Sequence, residues 1–246
     1  MRYLIASATA VALFASAPLL AHAQSTCSSD GQPQPVALVE RFLSADCERC
    51  WAESTAHTPG PTALVVDWIV PSAAAGDDAP LAAAATREAL ERLEQLRRPV
   101  PATTDTYVSD VARPASTPAW SPLRVMAGPT VNEYRGTSIS LGRKAAAAPR
   151  RGTAAADYRY TLLLVEAIPV GTEGSTAPRN LVRNVLQGAW NQGTRLHKGE
   201  QWLWKESRSM RVPDGADASR THMVGWLEDA EGQVVAAAQS HCPAPR

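Results

Sequence analysis

Four cysteines place the strongest constraint on how this chain can fold. Cys47 and Cys50 are separated by two residues, whereas Cys27 and Cys242 lie towards the two ends. Four cysteines can pair in three ways. Because the termini of a domain are often close together, the favoured pairing joins Cys47 to Cys50 and Cys27 to Cys242. A disulfide that closes almost the whole chain stabilises a fold by roughly 4–5 kcal/mol on the chain-entropy account.

The N-terminus indicates an oxidising compartment, in which such disulfides persist. Arg2 is the only charged residue before an apolar run at residues 4–20, and Ala21-His22-Ala23 is a small-x-small cleavage pattern. This pattern predicts a signal peptide at residues 1–23 and a periplasmic or secreted protein. An uncleaved membrane anchor is the alternative. Cleavage would leave 223 of the 246 residues, enough for one large domain or two small ones.

Charge and motif content exclude several classes of partner. Once Arg2 is removed, the chain carries one more acidic than basic side chain, so it lacks the basic patch of a nucleic-acid-binding protein. No second apolar run reaches the ~20 residues of a membrane span. The sequence has neither a phosphate-binding glycine loop nor a Gly-x-Ser-x-Gly elbow. We therefore expect no nucleic acid, no membrane span after signal cleavage and no cofactor.

Apolar runs and helix signals alternate in the first half of the chain. Residues 36–42 and 63–70 are continuous apolar runs typical of buried strands. Helices are predicted from about 47 to 56 and from about 80 to 97. This β-α-β-α order favours parallel strands with helical crossovers. Residues 99–122 hold five prolines and predict a loop.

Strand patterns dominate the second half. Residues 180–190 are the exception, because their apolar side chains recur at helical spacing and predict a helix. Residues 142–156 are basic and Ala-rich and predict a linker. The turn Asp229-Ala230-Glu231-Gly232 predicts a hairpin. The predicted strands cover residues 123–127, 137–141, 158–168, 201–206, 223–228 and 233–240.

Cys47 and Cys50 are the residues that carry chemistry. Ser44 and Asp46 are helix-capping residue types, which puts Cys47 at a helix start. Free N–H groups and the partial positive charge there favour a thiolate. Cys47 is therefore the candidate attacking thiol, and Cys50 is the resolving thiol that releases a mixed disulfide. Pro122 opens a later strand and is the candidate cis proline facing the pair.

Other roles stay open for the same two cysteines. A purely structural disulfide would suit a non-enzymatic binding protein. Copper(I) bound by two thiolates with distant His57 is a third hypothesis. A zinc site would need further ligands, and haem attachment would need histidine rather than Trp51 after the second cysteine.

The opening of the chain also brings a family resemblance. Residues 36–42 followed by 44–50 resemble the start of a family of secreted bacterial proteins that have a thioredoxin-like fold and no assigned function. Residues 161–166, 179–183 and 232–237 are similar to that family in order and type. The family usually has Pro-Pro after the second cysteine, where this chain has Trp51-Ala52.

The resemblance implies a fold, a function and further site residues. The implied fold class is α/β, with a thioredoxin-like domain at residues 34–145 and a β-rich C-terminal subdomain at 155–242. The implied function is that of an exported thiol–disulfide oxidoreductase or redox-responsive protein. Its partners would be other exported proteins, held through mixed disulfides. Asn180 and Arg183 match the family and are further candidate site residues.

Overall fold

The fold consists mostly of β-strands, which make up 49% of it against 12% for helices. The structure is a computed structural model that describes residues 26–112, 122–144, 157–191, 196–198 and 201–242. The predicted signal peptide and most of the predicted linker lie outside these residues. Two sheets with only short helices replace the layered arrangement expected of an α/β protein, so the predicted α/β, thioredoxin-like fold class is wrong.

Short 3-10 helices at Gly76–Asp78, Ala82–Ala84 and Ala218–Arg220 accompany the strands and α-helices. In chain order the strands and α-helices are β1 (Cys27–Ser28), β2 (Ala37–Ser44), α1 (Glu48–Ala52), β3 (Ala63–Val70), α2 (Arg87–Gln95), β4 (Thr104–Asp110), β5 (Arg124–Val131), β6 (Tyr134–Lys144), β7 (Tyr158–Ile168), β8 (Arg179–Trp190), β9 (Leu196–Lys198), β10 (Gln201–Arg211), β11 (Thr221–Glu228) and β12 (Val234–Gln239).

The described strands form one sheet of seven and one of five. The larger sheet has the order β12-β11-β7-β8-β3-β2-β4, and the smaller has the order β1-β5-β6-β10-β9. Strands β2 and β3 pair in parallel along their whole length, which confirms the predicted local β-α-β unit. Each sheet takes strands from both predicted segments, 34–145 and 155–242.

The predicted helix at residues 180–190 is strand β8. A register shift in its pairing with β7 puts Leu164 opposite Asn184 but Val165 opposite Val182. Arg183 is thereby skipped, and Val182 and Val185 pack in one cluster although they are three residues apart. A β-bulge interrupts the period of two in this way. The apolar spacing of β8 therefore imitates that of a helix.

Strand β4 lies inside the segment predicted to be a loop. It pairs with β2 at the edge of the larger sheet, and its side chains alternate between exposed and half-buried. Its sequence, Thr-Asp-Thr-Tyr-Val-Ser-Asp, has few apolar residues, because an edge strand buries little. The predicted helix at 80–97 is reduced to the 3-10 turn at Ala82–Ala84 followed by α2.

The larger sheet curls around α2. From the helix, Arg92 reaches Glu40 on β2 at 2.7 Å and Glu228 on β11 at 2.8 Å, although three strands separate β2 from β11. The guanidinium also lies 5.3 Å from the ring centre of Trp226. Burial lowers the pKa of Arg92, but the two carboxylates outweigh burial and raise it. These contacts hold the inner face of the sheet against the helix.

The opposite face of β7 and β11 packs on the smaller sheet, where the two sheets meet closely at Gly225. A Cβ atom at this residue would lie 2.9 Å from Cγ1 of Val125 and 3.1 Å from Cδ1 of Ile139. Only a glycine lets β5 and β6 approach β11 so closely. The core between the sheets includes Leu162, Leu164, Met223, Leu227, Trp190 and Trp204.

Candidate functional site

Cys47 and Cys50 form a disulfide at the carboxyl end of β2. Cys47 is the N-cap of α1 and is half-buried, whereas Cys50 is only 6% exposed. The backbone N–H of Cys50 donates to the carbonyl oxygen of Cys47 at 3.0 Å and also to its Sγ at 3.3 Å. Ser44 supports the preceding turn, since its carbonyl accepts the N–H of Cys47 and its hydroxyl accepts that of Asp46. The two sulfur atoms therefore differ in exposure and in hydrogen bonding.

Arg179, at the start of β8, anchors the far end of α1. Its guanidinium donates to the carbonyl oxygens of Cys50, Trp51 and Glu53 at 3.2, 2.7 and 2.9 Å. It also lies 4.8 Å from the centre of the Trp51 ring. The last carbonyls of a helix lack partners within the helix, so Arg179 satisfies groups that α1 itself leaves open.

Asp67 on β3 connects this anchor to the sheet. The carboxylate is fully buried and accepts from Arg179 at 3.1 Å, from Arg41 at 2.8 Å and from the backbone N–H of Asn180 at 3.1 Å. Burial lowers the pKa of Arg179, while Asp67 raises it and Arg41 lowers it. Two buried guanidinium groups thus share one carboxylate beneath the cysteine pair.

Arg41, Asp67 and Arg179 are not among the site residues that the sequence predicts. Arg41 and Asp67 face each other on paired strands, and each is a charged residue inside an apolar run. A charge in each of two neighbouring buried strands is a signal for a buried ion pair, because an unpaired buried charge is costly. Arg179 carries no comparable signal, since its partners come from distant parts of the chain.

Asn180 and Arg183, the residues singled out by resemblance, have buried partners. The side chain of Asn180 donates to the carbonyl oxygen of Val65 at 3.0 Å. Arg183 donates to the fully buried carboxylate of Glu166 at 2.8 Å. Arg220 binds the same carboxylate. Asn180 therefore joins β8 to β3, and Arg183 belongs to an ion cluster next to Trp51.

A cavity of about 240 Å³ opens beside Trp51. The indole Nε1 donates to the carbonyl oxygen of Glu173 at 2.7 Å, and the Glu173 carboxylate contacts Arg220 and Arg183. The loop between β7 and β8 thus forms one wall of this cavity, against Trp51. Apolar side chains of Trp51, Ile69, Leu81 and Leu181 line the cavity.

Pro122 precedes β5 in the smaller sheet, whereas Cys47 follows β2 in the larger one. No cis peptide bond occurs among the described residues. Residue 121 lies outside them, so the cis state of the bond before Pro122 stays a prediction. His57, the candidate third copper ligand, accepts a hydrogen bond from Arg41 through its carbonyl oxygen at 2.8 Å.

The second disulfide joins Cys27 on β1 to Cys242, the pairing that the sequence favours. Across the described ranges, no three His, Cys, Asp or Glu side chains gather closely enough to hold a metal ion. Within the same ranges, no helix has the length and apolar character needed to cross a membrane.

The sequence of this chain matches no protein-family model. No curated protein matches it either.

Proposed function

We propose that this chain is an exported thiol–disulfide oxidoreductase or redox-responsive protein that acts through Cys47 and Cys50. One observation carries the proposal: the Cys47 sulfur accepts the Cys50 N–H, and Cys47 is half-buried whereas Cys50 is buried. An attacking thiol needs access and a stabilised thiolate, whereas a resolving thiol needs only to reach its neighbour. Cys47 meets the requirements of the attacking thiol, and Cys50 meets that of the resolving thiol.

The exchange proceeds in two steps. The Cys47 thiolate attacks one sulfur of a partner disulfide, forms a mixed disulfide and displaces the other partner sulfur as a thiolate. The Cys50 thiolate then attacks the Cys47 sulfur, which closes the Cys47–Cys50 disulfide and releases the second partner thiolate. Two electrons pass to the partner, and the thiolates take up protons from solvent. The Cys50 N–H stabilises the Cys47 thiolate in the reduced protein.

The surroundings of the pair also favour a polypeptide partner. The cavity beside Trp51 has apolar walls and a charged rim, and its volume of about 240 Å³ suits a single large side chain rather than a cofactor. We infer that an apolar side chain near the disulfide of an exported partner enters this cavity. The signal-like N-terminus and the two disulfides support a periplasmic or secreted location.

Trapping of the mixed disulfide tests the proposal. Reduced Cys50→Ala protein is mixed with oxidised glutathione and examined by intact mass spectrometry and peptide mapping. We expect a stable glutathione adduct on Cys47. Cys47→Ala is the matched control, and it should form the adduct far more slowly because Cys50 is buried. Equal rates for the two variants would argue against Cys47 as the attacking thiol.

A second candidate function is a non-enzymatic binding protein in which both disulfides are structural. The observation that favours it is a cavity of about 540 Å³ lined by polar groups that include Asn180, His222 and Gln239. A cavity of this size is large enough for a small ligand. Full binding capacity in Cys47→Ser/Cys50→Ser protein, together with no exchange by the native protein, would favour this alternative.

A further inference from the structure

Arg135 on β6 is a buried cation that contacts only neutral groups among the described residues. Its side chain is 5% exposed. Its guanidinium donates to the carbonyl oxygen of Gly128 at 3.0 Å and to the carbonyl and hydroxyl oxygens of Thr221 at 2.7 and 2.6 Å. The remaining contact is to Sγ of Cys27 at 3.3 Å. This sulfur belongs to the Cys27–Cys242 disulfide.

The absence of a carboxylate sets Arg135 apart from other buried arginines of this fold. Arg41, Arg92 and Arg179 each contact a buried carboxylate. An unpaired buried charge is costly, and burial lowers the pKa of Arg135. A negative charge that arose beside this guanidinium would therefore be strongly stabilised.

The atom beside Arg135 that can acquire such a charge is the Cys27 sulfur. Cleavage of a disulfide by a thiolate leaves the electron pair of the broken bond on the departing sulfur. Cys27 is only 2% exposed, so a reagent cannot reach it directly. Cys242 is half-buried and lines the cavity of about 540 Å³. Cys242 is therefore the sulfur that a reagent can reach, and Cys27 is the sulfur that leaves as a stabilised thiolate.

We propose that Cys27–Cys242 is a second thiol-exchange site, in which a low-molecular-weight thiol attacks Cys242 and displaces Cys27 as a thiolate paired with Arg135. The attacking thiol loses its proton to solvent, its sulfur bonds to Sγ of Cys242, and the bond between Cys242 and Cys27 breaks. A second molecule of the thiol then attacks the bound one, which yields a small disulfide and the free Cys242 thiol. This proposal does not depend on Cys47 and Cys50.

Arg135 is the cation that would stabilise a Cys27 thiolate, and the other ionisable groups around the disulfide do not take this role. Burial lowers the pKa of His222 to about 4, and Arg135 and His241 act in the same direction. The imidazole of His222 is therefore neutral at neutral pH. His241 is exposed, and Asp30, which follows β1, is paired with Arg124 at 2.6 Å.

The Cys27–Cys242 disulfide links the two ends of the described chain, so its opening changes how those ends are held. Strand β1 has two residues, which pair with Ala127 and Met126 of β5. Backbone hydrogen bonds between Ser28 and His241 join the two chain ends. Exchange at Cys242 removes the covalent link between the chain ends, and β1 then stays on the smaller sheet through these hydrogen bonds and the contact between Cys27 and Arg135.

The first test uses Cys47→Ser/Cys50→Ser protein, which retains only the Cys27–Cys242 disulfide. The folded protein is incubated with reduced glutathione, and adducts are located by peptide mapping while circular dichroism follows the fold. We expect glutathione on Cys242 and a free thiol at Cys27. An adduct on Cys27, or no adduct before the protein unfolds, would overturn the proposal.

The second test measures the leaving group in protein whose single cysteine is Cys27, with Cys242→Ser added to the same background. The pH dependence of the ultraviolet absorbance of its thiolate, which needs no reagent to reach the buried sulfur, should give a Cys27 pKa below the ordinary value of about 8.5. Arg135→Gln should raise this pKa, with about tenfold less thiolate for each pKa unit. Arg124→Gln, which alters an exposed ion pair, is the matched control.

Both tests remain decisive if Arg135→Gln does not fold. A Cys27 pKa at or above about 8.5 in the Arg135-containing protein contradicts the proposal directly, because the guanidinium would then provide no net stabilisation. The same holds if Arg124→Gln changes the pKa as much as Arg135→Gln does.

Discussion

The guanidinium of Arg179 donates a hydrogen bond to the carbonyl oxygen of Trp51 at 2.7 Å and lies 4.8 Å from the centre of its indole ring. The residue that follows the second cysteine is therefore held by a cation from the other half of the chain. That residue is Trp51. Its side chain ties the cysteine pair to β8 and to the loop before it.

Removal of this anchor should destabilise the protein. In Arg179→Met, three carbonyl oxygens around α1 lose a donor and Asp67 keeps only Arg41 and the Asn180 N–H. We expect a loss of about 3 kcal/mol in the free energy of unfolding, the lower end for a broken buried ion pair. Urea denaturation measures it. Arg49→Met, at an exposed ion pair, should change stability by less than about 1 kcal/mol; equal losses would contradict the anchoring role.

Stability should fall as the pH is lowered from about 6.5 to about 4 because of His222. Burial lowers the pKa of His222 from 6.5 to about 4 in the folded protein. The unfolded chain therefore binds more protons in this window, and protonation favours unfolding. The loss should reach about 1–3 kcal/mol below pH 4.

Urea denaturation at several pH values measures this loss. His222→Gln should flatten the curve between pH 4 and 6.5, whereas His57→Gln, at an exposed position, should leave it unchanged. A native-like pH dependence in the His222 variant would show that the slope arises from other groups.

The close approach of the sheets at Gly225 should be sensitive to a single methyl group. In Gly225→Ala the new Cβ would meet Val125, Ile139 and the Thr161 carbonyl oxygen at 2.9–3.1 Å. We expect a loss of about 1–3 kcal/mol, as for other overpacked cores. Thermal and urea unfolding of Gly136→Ala, where a Cβ has no neighbour within 4 Å, provides the comparison.

A double variant tests whether the clash is the cause. Val125→Ala removes the nearest methyl groups, so its effect with Gly225→Ala should be smaller than the sum of the two single effects. Simple additivity would place the cause elsewhere.

The two disulfides should contribute unequally to stability. On the chain-entropy account, the Cys27–Cys242 link, which spans 215 residues, stabilises by roughly 5 kcal/mol, and the Cys47–Cys50 link, which spans three, by roughly 2 kcal/mol. Denaturation of the two double-serine variants should show this order. The reverse order would mean that native-state contacts around Cys47 and Cys50 dominate.

Local patterns predicted the parts of the fold that depend on near neighbours. The hairpin of β11 and β12 follows from its turn, and β7 follows from its alternating side-chain pattern. The sequence does not predict strand β8, because its bulge at Arg183 breaks the period of two and the resulting spacing is that of a helix. The predicted α/β class is wrong for this reason, and also because β4, the strand that follows α2, is an edge strand with few apolar residues.

For the candidate site, too, the sequence predicts the local features but not the contacts between distant segments. The cysteine pair and its turn follow from spacing and from the helix-capping residues, and the Cys27–Cys242 pairing follows from the closeness of domain termini. The buried support from Asp67 and Arg179 joins segments more than 100 residues apart. Periodicity reports which face of a strand is buried, but it does not report which charges meet there. Arg135 and Cys27 illustrate the same limit, since they are 108 residues apart.

The pH dependence of alkylation of the reduced protein tests the central claim, that Cys47 is the attacking thiol, most directly. Quenched iodoacetamide labelling and peptide mapping at each pH give separate rates for Cys47 and Cys50 in Cys27→Ser/Cys242→Ser protein. The account predicts a Cys47 pKa below the ordinary value of about 8.5 and faster labelling of Cys47 than of Cys50. An ordinary or raised Cys47 pKa, or faster labelling of Cys50, would contradict it.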